Sequence, residues 1–204
     1  MHKLNKSNKI FNFTVKSKFY YFEPIKKKNI NKKYLNWINN SDINKFLNKV
    51  SKKRTIKDLY ENINTIRKEG GELYSVHKKK NSSHIGNLTI SFFNNLNSNA
   101  DYNVKKKLIS FGLMIGDQKS REVGAGGYIT LMLVSLLFDL LKYKKIFAGS
   151  TVKNYKAINS LKTIGFSTQR IKNGAEYFEL NKYKWKKIKK NFSVDNLKIK
   201  ISYK

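Results

Sequence analysis

The chain of 204 residues has no cysteine and a single proline, Pro24. The first absence excludes disulfide scaffolds, thiolate metal sites and cysteine nucleophiles. The second excludes proline-rich linkers. Arginine is scarce as well: Arg54, Arg67, Arg121 and Arg170 stand among 43 basic residues, and 13 acidic residues leave a formal charge of +30. Sequence-specific nucleic-acid readers lean on the bidentate guanidinium, so a charge built from lysine is a weak signature of one. Asn, Ile, Phe and Tyr are also abundant. Their codons, like those of lysine, are rich in A and T, so a biased genome yields this composition without selection for a basic partner. Nucleic acid stays a possible partner, not the favoured one. No apolar run approaches the roughly 20 residues needed to span a bilayer, since Tyr128–Leu141 is shorter and is broken by Ser135 and Asp139. The start of the chain lacks a secretory apolar segment, and a cytoplasmic protein is expected.

What is present suits one folded domain: 40% hydrophobic and 13% aromatic residues. Residues 1–16 read as a basic tail or a loosely packed strand, 17–184 as the domain and 185–204 as a basic extension, with a basic helical end at Tyr183–Lys190. Phe19–Ile25 is aromatic and reads as a strand ended by Pro24. Tyr34, Leu35, Trp37 and Ile38 fall at helical spacing, and a short helix follows at Ile43–Leu47. Thr55 is an N-cap with Asp58 three residues on. Ile56, Leu59, Tyr60, Ile63 and Ile66 then mark a helix that ends at Gly70-Gly71. The period changes to two over Glu72–Lys78, Ile85–Phe93 and Lys107–Ile115, an antiparallel meander with a polar loop at Asn94–Asn103. A glycine-rich turn leads to a long helix at Tyr128–Lys142. A strand at Lys145–Thr151, a helix at Asn154–Ile164 closed by Gly165, and a hairpin around Asn173-Gly174 complete the pattern. Strands mixed with helices make the class α/β, more narrowly α+β.

One segment points to chemistry. Arg121-Glu122-Val123-Gly124-Ala125-Gly126-Gly127 joins a strand to the long helix. Glycines let backbone come close to a ligand, and the helix start aims free N–H groups and a positive dipole end at that point. Such a turn is a cradle for pyrophosphate. A P-loop is excluded because no G-x-x-x-x-G-K-[ST] run exists, and the G-x-G-x-x-G dinucleotide fingerprint is absent too.

Arg121-x-x-Gly124-x-Gly126 resembles the acetyl-CoA-binding motif of the GNAT acetyltransferases. Phe111–Asp117 looks like the family's central strand, and His84-Ile85-Gly86-Asn87-Leu88 like the strand before it. Asn154-Tyr155-Lys156-Ala157-Ile158 with Gly165-Phe166 is similar to its N-x-x-A…G-F helix. Tyr34-Leu35-Asn36-Trp37 resembles the first helix of the branch that acetylates ribosomal-protein N-termini and amino sugars. The match covers about Phe19–Leu180. It implies a mixed, mostly antiparallel sheet flanked by helices. It also implies acetyl transfer from acetyl-CoA to a primary amine. The cofactor would be held by Leu113, Met114, Ile115, Arg121, Val123, Gly124, Ala125, Gly126, Gly127 and Asn154. Asn154 equally suits a helix N-cap.

The favoured acceptor is a small amine, phosphorylated or linked to a nucleotide as an amino sugar is. A protein N-terminus is the second reading, and an inactive basic nucleic-acid-binding protein the third. The resemblance breaks at Leu161, where many members carry an acid tyrosine. Ser160 beside it is a candidate for that proton. His77, Glu72, Glu23 and His84 are candidates for the base that takes the amine's proton. No metal is expected.

Overall fold

The computed structural model describes residues 3–6, 9–46, 53–92 and 107–203. The polar loop 94–103 and the end of the second expected helix lie outside these residues. Nine strands form one sheet in the order β7-β8-β6-β5-β4-β3-β2-β1-β9. They are β1 (Phe13–Lys16), β2 (Tyr20–Pro24), β3 (Glu72–Lys78), β4 (His84–Phe92), β5 (Leu108–Ile115), β6 (Lys145–Thr151), β7 (Ser167–Lys172), β8 (Ala175–Asn181) and β9 (Lys200–Tyr203). Every neighbouring pair is antiparallel except β5 and β6. The expected α+β class and mostly antiparallel sheet are therefore present.

Among the described residues there are seven α-helices: α1 (Lys32–Asn39), α2 (Ser41–Asn44), α3 (Ile56–Lys68), α4 (Gln118–Glu122), α5 (Ala125–Ser135), α6 (Tyr155–Ile164) and α7 (Lys182–Ile188). Local chemistry explains their limits. Asn31 caps α1 by accepting from the Tyr34 N–H. Thr55 and Asp58 form a reciprocal capping box at the start of α3, satisfying two N–H groups that the helix itself cannot. α5 continues as a π-helical turn over Leu136–Leu140.

The sheet is covered on both faces. Under α5 and α6, Ile129, Met132, Leu133, Ile158 and Leu161 pack on Leu88, Ile90, Ile109 and Phe111. On the other face Tyr34, Trp37, Leu59 and Ile63 pack on Ile25 and Leu73, with Met114 at the margin. This second cluster holds α1 and α3 against β2–β4.

Both ends are bound into the sheet. Of the stretch read as a tail or a loosely packed strand, Phe13–Lys16 form β1, and Phe11, Phe13 and Val15 are completely buried. Residues 185–204, read as an extension, supply β9, which pairs with β1 through Val15 opposite Ile201. Trp185 is fully buried, stacked between Phe138 and Phe192, and its indole N–H donates to Asp139 at 3.2 Å. The long helix also starts earlier than expected, at Ala125, and the turn before it contains the short helix α4.

Candidate active site

The parallel ladder between β5 and β6 carries register pairs only from Leu108–Lys145 to Phe111–Ala148. Beyond it β5 stays with β4, through Gly112–Thr89 to Ile115–Gly86, whereas β6 stays with β8 as far as Thr151–Ala175. The strands part like a V. The β5 edge that faces β6 over Gly112–Ile115 has no strand partner. An unpaired strand edge takes an extended, amide-bearing guest as an extra strand would.

The start of α5 stands over the same end of β5. A Cβ on Gly126 would lie 3.8 Å from Ile115 Cγ1, and one on Gly127 would lie 3.3 Å from Ser160 Oγ of α6. β5, α5 and α6 therefore converge on the glycine turn. Gly124 is the N-cap at φ +74°, a left-handed conformation that suits glycine, and no side chain caps the helix. Each of the other six α-helices has a side-chain cap, from Asn31, Asn40, Thr55, Asp117, Asn154 or Asn181. In α5 the first-turn amides of Ala125, Gly126 and Gly127 have neither an intrahelical acceptor nor a cap. Val123 and Arg121 are exposed beside them. Asn154 Oδ1 accepts from the Ala157 N–H at 3.4 Å, so the N-cap role holds.

The proposed proton-transfer residues fare differently. Glu72 is fully buried in a bidentate pair with Arg67, with Nε at 2.9 Å and Nη2 at 2.8 Å from Oε1. It also accepts from the Leu73 N–H. A carboxylate so occupied serves structure, and its assignment as a base falls. His77 is buried with both ring nitrogens engaged. Its Nδ1 lies 3.1 Å from the Ser82 carbonyl, an acceptor only, so Nδ1 carries the hydrogen; its Nε2 lies 2.9 Å from the Ser75 hydroxyl oxygen. Burial lowers its pKa. His77 therefore has no free nitrogen for an incoming amine. Leu161 packs in the core, and Ser160 faces the first turn of α5. Glu23 is paired with Lys26 at 2.6 Å.

His84 keeps one free lone pair. Its Nε2 lies 2.9 Å from the Gly86 carbonyl and 3.0 Å from Asn87 Oδ1, both acceptors, so Nε2 bears the hydrogen and Nδ1 is bare. Burial lowers its pKa to about 4, and the ring is neutral near pH 7. Trp37 and Tyr34 of α1 meet it edge-on, at 5.0 and 6.4 Å. Lys33 donates to its carbonyl oxygen at 2.8 Å. Sequence reasoning did not single out Asn87. The available signal was a polar residue inside an otherwise apolar strand. Asp117, the cap of α4, would be pushed up by burial, but two hydrogen bonds from Ser120 and the nearby Lys78 and Lys33 hold its pKa below the usual value. Among the described residues no group of His, Asp or Glu side chains could hold a metal ion.

No family model matches the chain, and no curated protein matches it in sequence. Solved structures do. An aminoglycoside acetyltransferase, AAC(6')-Ib, in complex with coenzyme A superposes with a TM-score of 0.67 over 86% of this chain and 99% of its own, at 16% identity. FdhC, a nucleotide-linked sugar GNAT, gives 0.66 over 91% and 98%, also at 16% identity. Spermidine N-acetyltransferase from Vibrio cholerae, with CoA and spermine, gives 0.65 over 81% and 97%, at 15% identity. At these identities the likeness is one of fold: the chain has the GNAT acetyltransferase fold. Among the described residues no helix is long and apolar enough to cross a membrane.

Proposed function

We propose that the chain is an acetyl-CoA-dependent N-acetyltransferase for a small primary amine. The observation that carries this reading is the meeting of the parted strands with the uncapped, glycine-lined start of α5. The pyrophosphate of acetyl-CoA fits amides that have no other acceptor, and its amide-bearing pantetheine arm fits the open edge Leu113–Ile115. Arg121 adds charge, Ser160 and the Asn154 amide face the cofactor from α6, and backbone N–H near Met114 polarises the thioester carbonyl.

The amine nitrogen attacks that carbonyl, the C–N bond forms, and the C–S bond breaks to release a thiolate. The nitrogen's proton goes to water. With Glu72 and His77 committed to structure, and His84 too weakly basic near pH 7, none of these side chains is assigned as the base. The thiolate is a good leaving group, and Leu161 supplies no acid.

The acceptor we favour is an amino sugar linked to a nucleotide. The carboxylates Glu23 and Asp117 are held by Lys26 and Lys78. A polycationic amine finds few free carboxylates to pair with, whereas a phosphorylated amine meets an excess of lysine. FdhC, of the same fold, is described as a nucleotide-linked sugar GNAT.

The test is a CoA-release assay with an amino-sugar nucleotide, a polyamine, an aminoglycoside and an N-terminal peptide. Turnover with the first and its decline with added salt are expected. Turnover with the peptide alone would move the assignment to protein N-termini. RNA binding with a steep salt dependence and no turnover would favour the inactive reading.

A further inference from the structure

We infer that Arg170, steadied by Tyr177, binds the phosphates of the acceptor on the sheet face opposite α5 and α6. This rests on the acetyltransferase reading above. Tyr177 stands opposite Gly149 of β6 and opposite Arg170 of β7. Regular alternation from Ser167–Glu179 and Thr168–Phe178 would put Gln169 opposite Tyr177. A β-bulge between Thr168 and Arg170 takes up Gln169 and brings Arg170 to that place instead. Bulges re-aim side chains in this way, often beside active sites. The Arg170 guanidinium lies 5.0 Å from the centre of the Tyr177 ring, a cation–π contact that holds it. Arg170 is exposed, and among the described residues it has no carboxylate partner. A guanidinium without a carboxylate presents a planar fork that fits two phosphate oxygens.

Their place in the sheet ties them to the reaction. Phe111, Ala148 and Phe178 turn to the core under α5 and α6. Gly112, Gly149 and Tyr177, one position along each strand, therefore lie on the other face. The cluster of α1 and α3 on that face reaches Met114 but contains no residue of β6, β7 or β8. Gly112 and Gly149 are exposed. Among the described residues a Cβ on Gly112 would meet nothing within 4 Å, and the nearest atom to one on Gly149 would be Tyr177 Cδ1 at 3.6 Å. The two glycines thus floor a shallow trough that ends at the Tyr177 ring. They also flank the apex of the V, each one residue past the last register pair, Phe111–Ala148. A cofactor whose pyrophosphate lies at the start of α5 has its acyl end towards that apex. The helices α5 and α6 cover the opposite face, so the amine comes to the thioester over the glycine floor. Gly112 and Arg170 are three strand spacings apart, about 14 Å. A bare small amine at the thioester cannot reach Arg170, whereas an amino sugar with phosphates on the far side of its ring can touch both.

The experiment titrates UDP-glucosamine and glucosamine 1-phosphate into the full chain saturated with CoA, which fills the cofactor site without allowing turnover. The wild-type chain should bind both, and tighter binding of the first would mark a nucleotide-linked acceptor, of the second a simple sugar phosphate. Arg170→Leu should weaken the tighter ligand by about 10- to 100-fold, the loss of a charged hydrogen-bonding partner. Arg170→Lys, which keeps the charge without the fork, should fall between. Tyr177→Leu should weaken binding in the wild-type background and have no further effect beside Arg170→Leu, the mark of a positioning residue. Both side chains lie on the surface, so the variants should fold. Lys186→Ala, elsewhere on the surface, should bind as wild type does. Binding by Arg170→Leu within about twofold of wild type, an equal loss in Lys186→Ala, or no binding of either ligand to the CoA-loaded chain would overturn the inference. Each of these results leaves the acetyltransferase reading standing. That reading fails separately, if the wild-type chain binds neither acetyl-CoA nor CoA.

Discussion

Trp37 of α1 presses against the backbone of Gly116, the residue that follows β5. A Cβ on Gly116 would fall 2.0 Å from the indole Cδ2. This contact fixes α1 over the end of β5, where the acceptor face meets the turn into α4.

Gly116→Ala should therefore displace Trp37 and destabilise the fold by about 1–3 kcal/mol, the usual cost of overpacking. Trp37 and Trp185 are the only tryptophans, so the shift is readable in fluorescence emission as well as in denaturant unfolding. Trp37→Leu in the Gly116→Ala background should recover part of the loss. A Gly116→Ala chain with unchanged emission and stability would contradict the contact.

Arg67 and Glu72 make a second test. Arg67→Leu strands a buried carboxylate, which costs about 3–5 kcal/mol and should lower Tm by roughly 6–20 °C. Glu72→Gln should lower Tm too, yet keep kcat at temperatures well below unfolding. A fall in kcat of about 100-fold or more in the folded variant would restore Glu72 as a base.

Stability should depend on pH through the buried imidazoles. His84 takes up its proton near 6.5 when unfolded but only near 4 when folded, and His77 shifts the same way. Between those values the unfolded chain binds more protons, so stability is lost as pH falls from 6.5 towards 4 and is flat above 7. The His84 contribution is on the order of 3 kcal/mol. Urea unfolding at pH 4.5, 5.5, 6.5 and 7.5 should show this slope, and His84→Gln should flatten it. An identical slope in the variant would assign the effect elsewhere.

The C-terminal segment should behave as core. Trp185→Ala removes a fully buried indole and should cost about 3–5 kcal/mol in denaturant unfolding. Lys186→Ala, on an exposed position of the same helix, should stay within about 0.5 kcal/mol. Equal, small effects would return residues 185–204 to the status of an extension outside the core.

The contrast between these ends and the middle of the chain shows what could be read without coordinates. The Thr55–Asp58 box, the Asn173-Gly174 turn and the meander β3–β5 are local, with signals a few residues from their effects. β1 and β9 are not. Lys16 faces Lys200 across the whole length of the chain, and nothing near Phe13 or Ile201 announces the partner. The glycine turn before the long helix was legible because its geometry is local to Gly124–Gly127. The fates of His77 and Glu72 were not, since Ser82 and Arg67 engage them only once the strands and α3 are packed. The His84–Asn87 hydrogen bond was hidden for the same reason, since it forms only within the folded strand β4.

The most direct measurement is calorimetric titration of acetyl-CoA into the wild-type chain, Gly124→Asn and Gly124→Glu. Asparagine tolerates the left-handed conformation at this cap, whereas glutamate adds a negative charge beside the first-turn amides of α5. Wild type should bind one acetyl-CoA with micromolar-order affinity. Gly124→Asn should bind within about tenfold of it, a change of 1.4 kcal/mol, and Gly124→Glu should show no binding while remaining folded. Flat titrations of the wild-type chain with both acetyl-CoA and CoA, or undiminished binding by Gly124→Glu, would contradict a cofactor site at the start of α5.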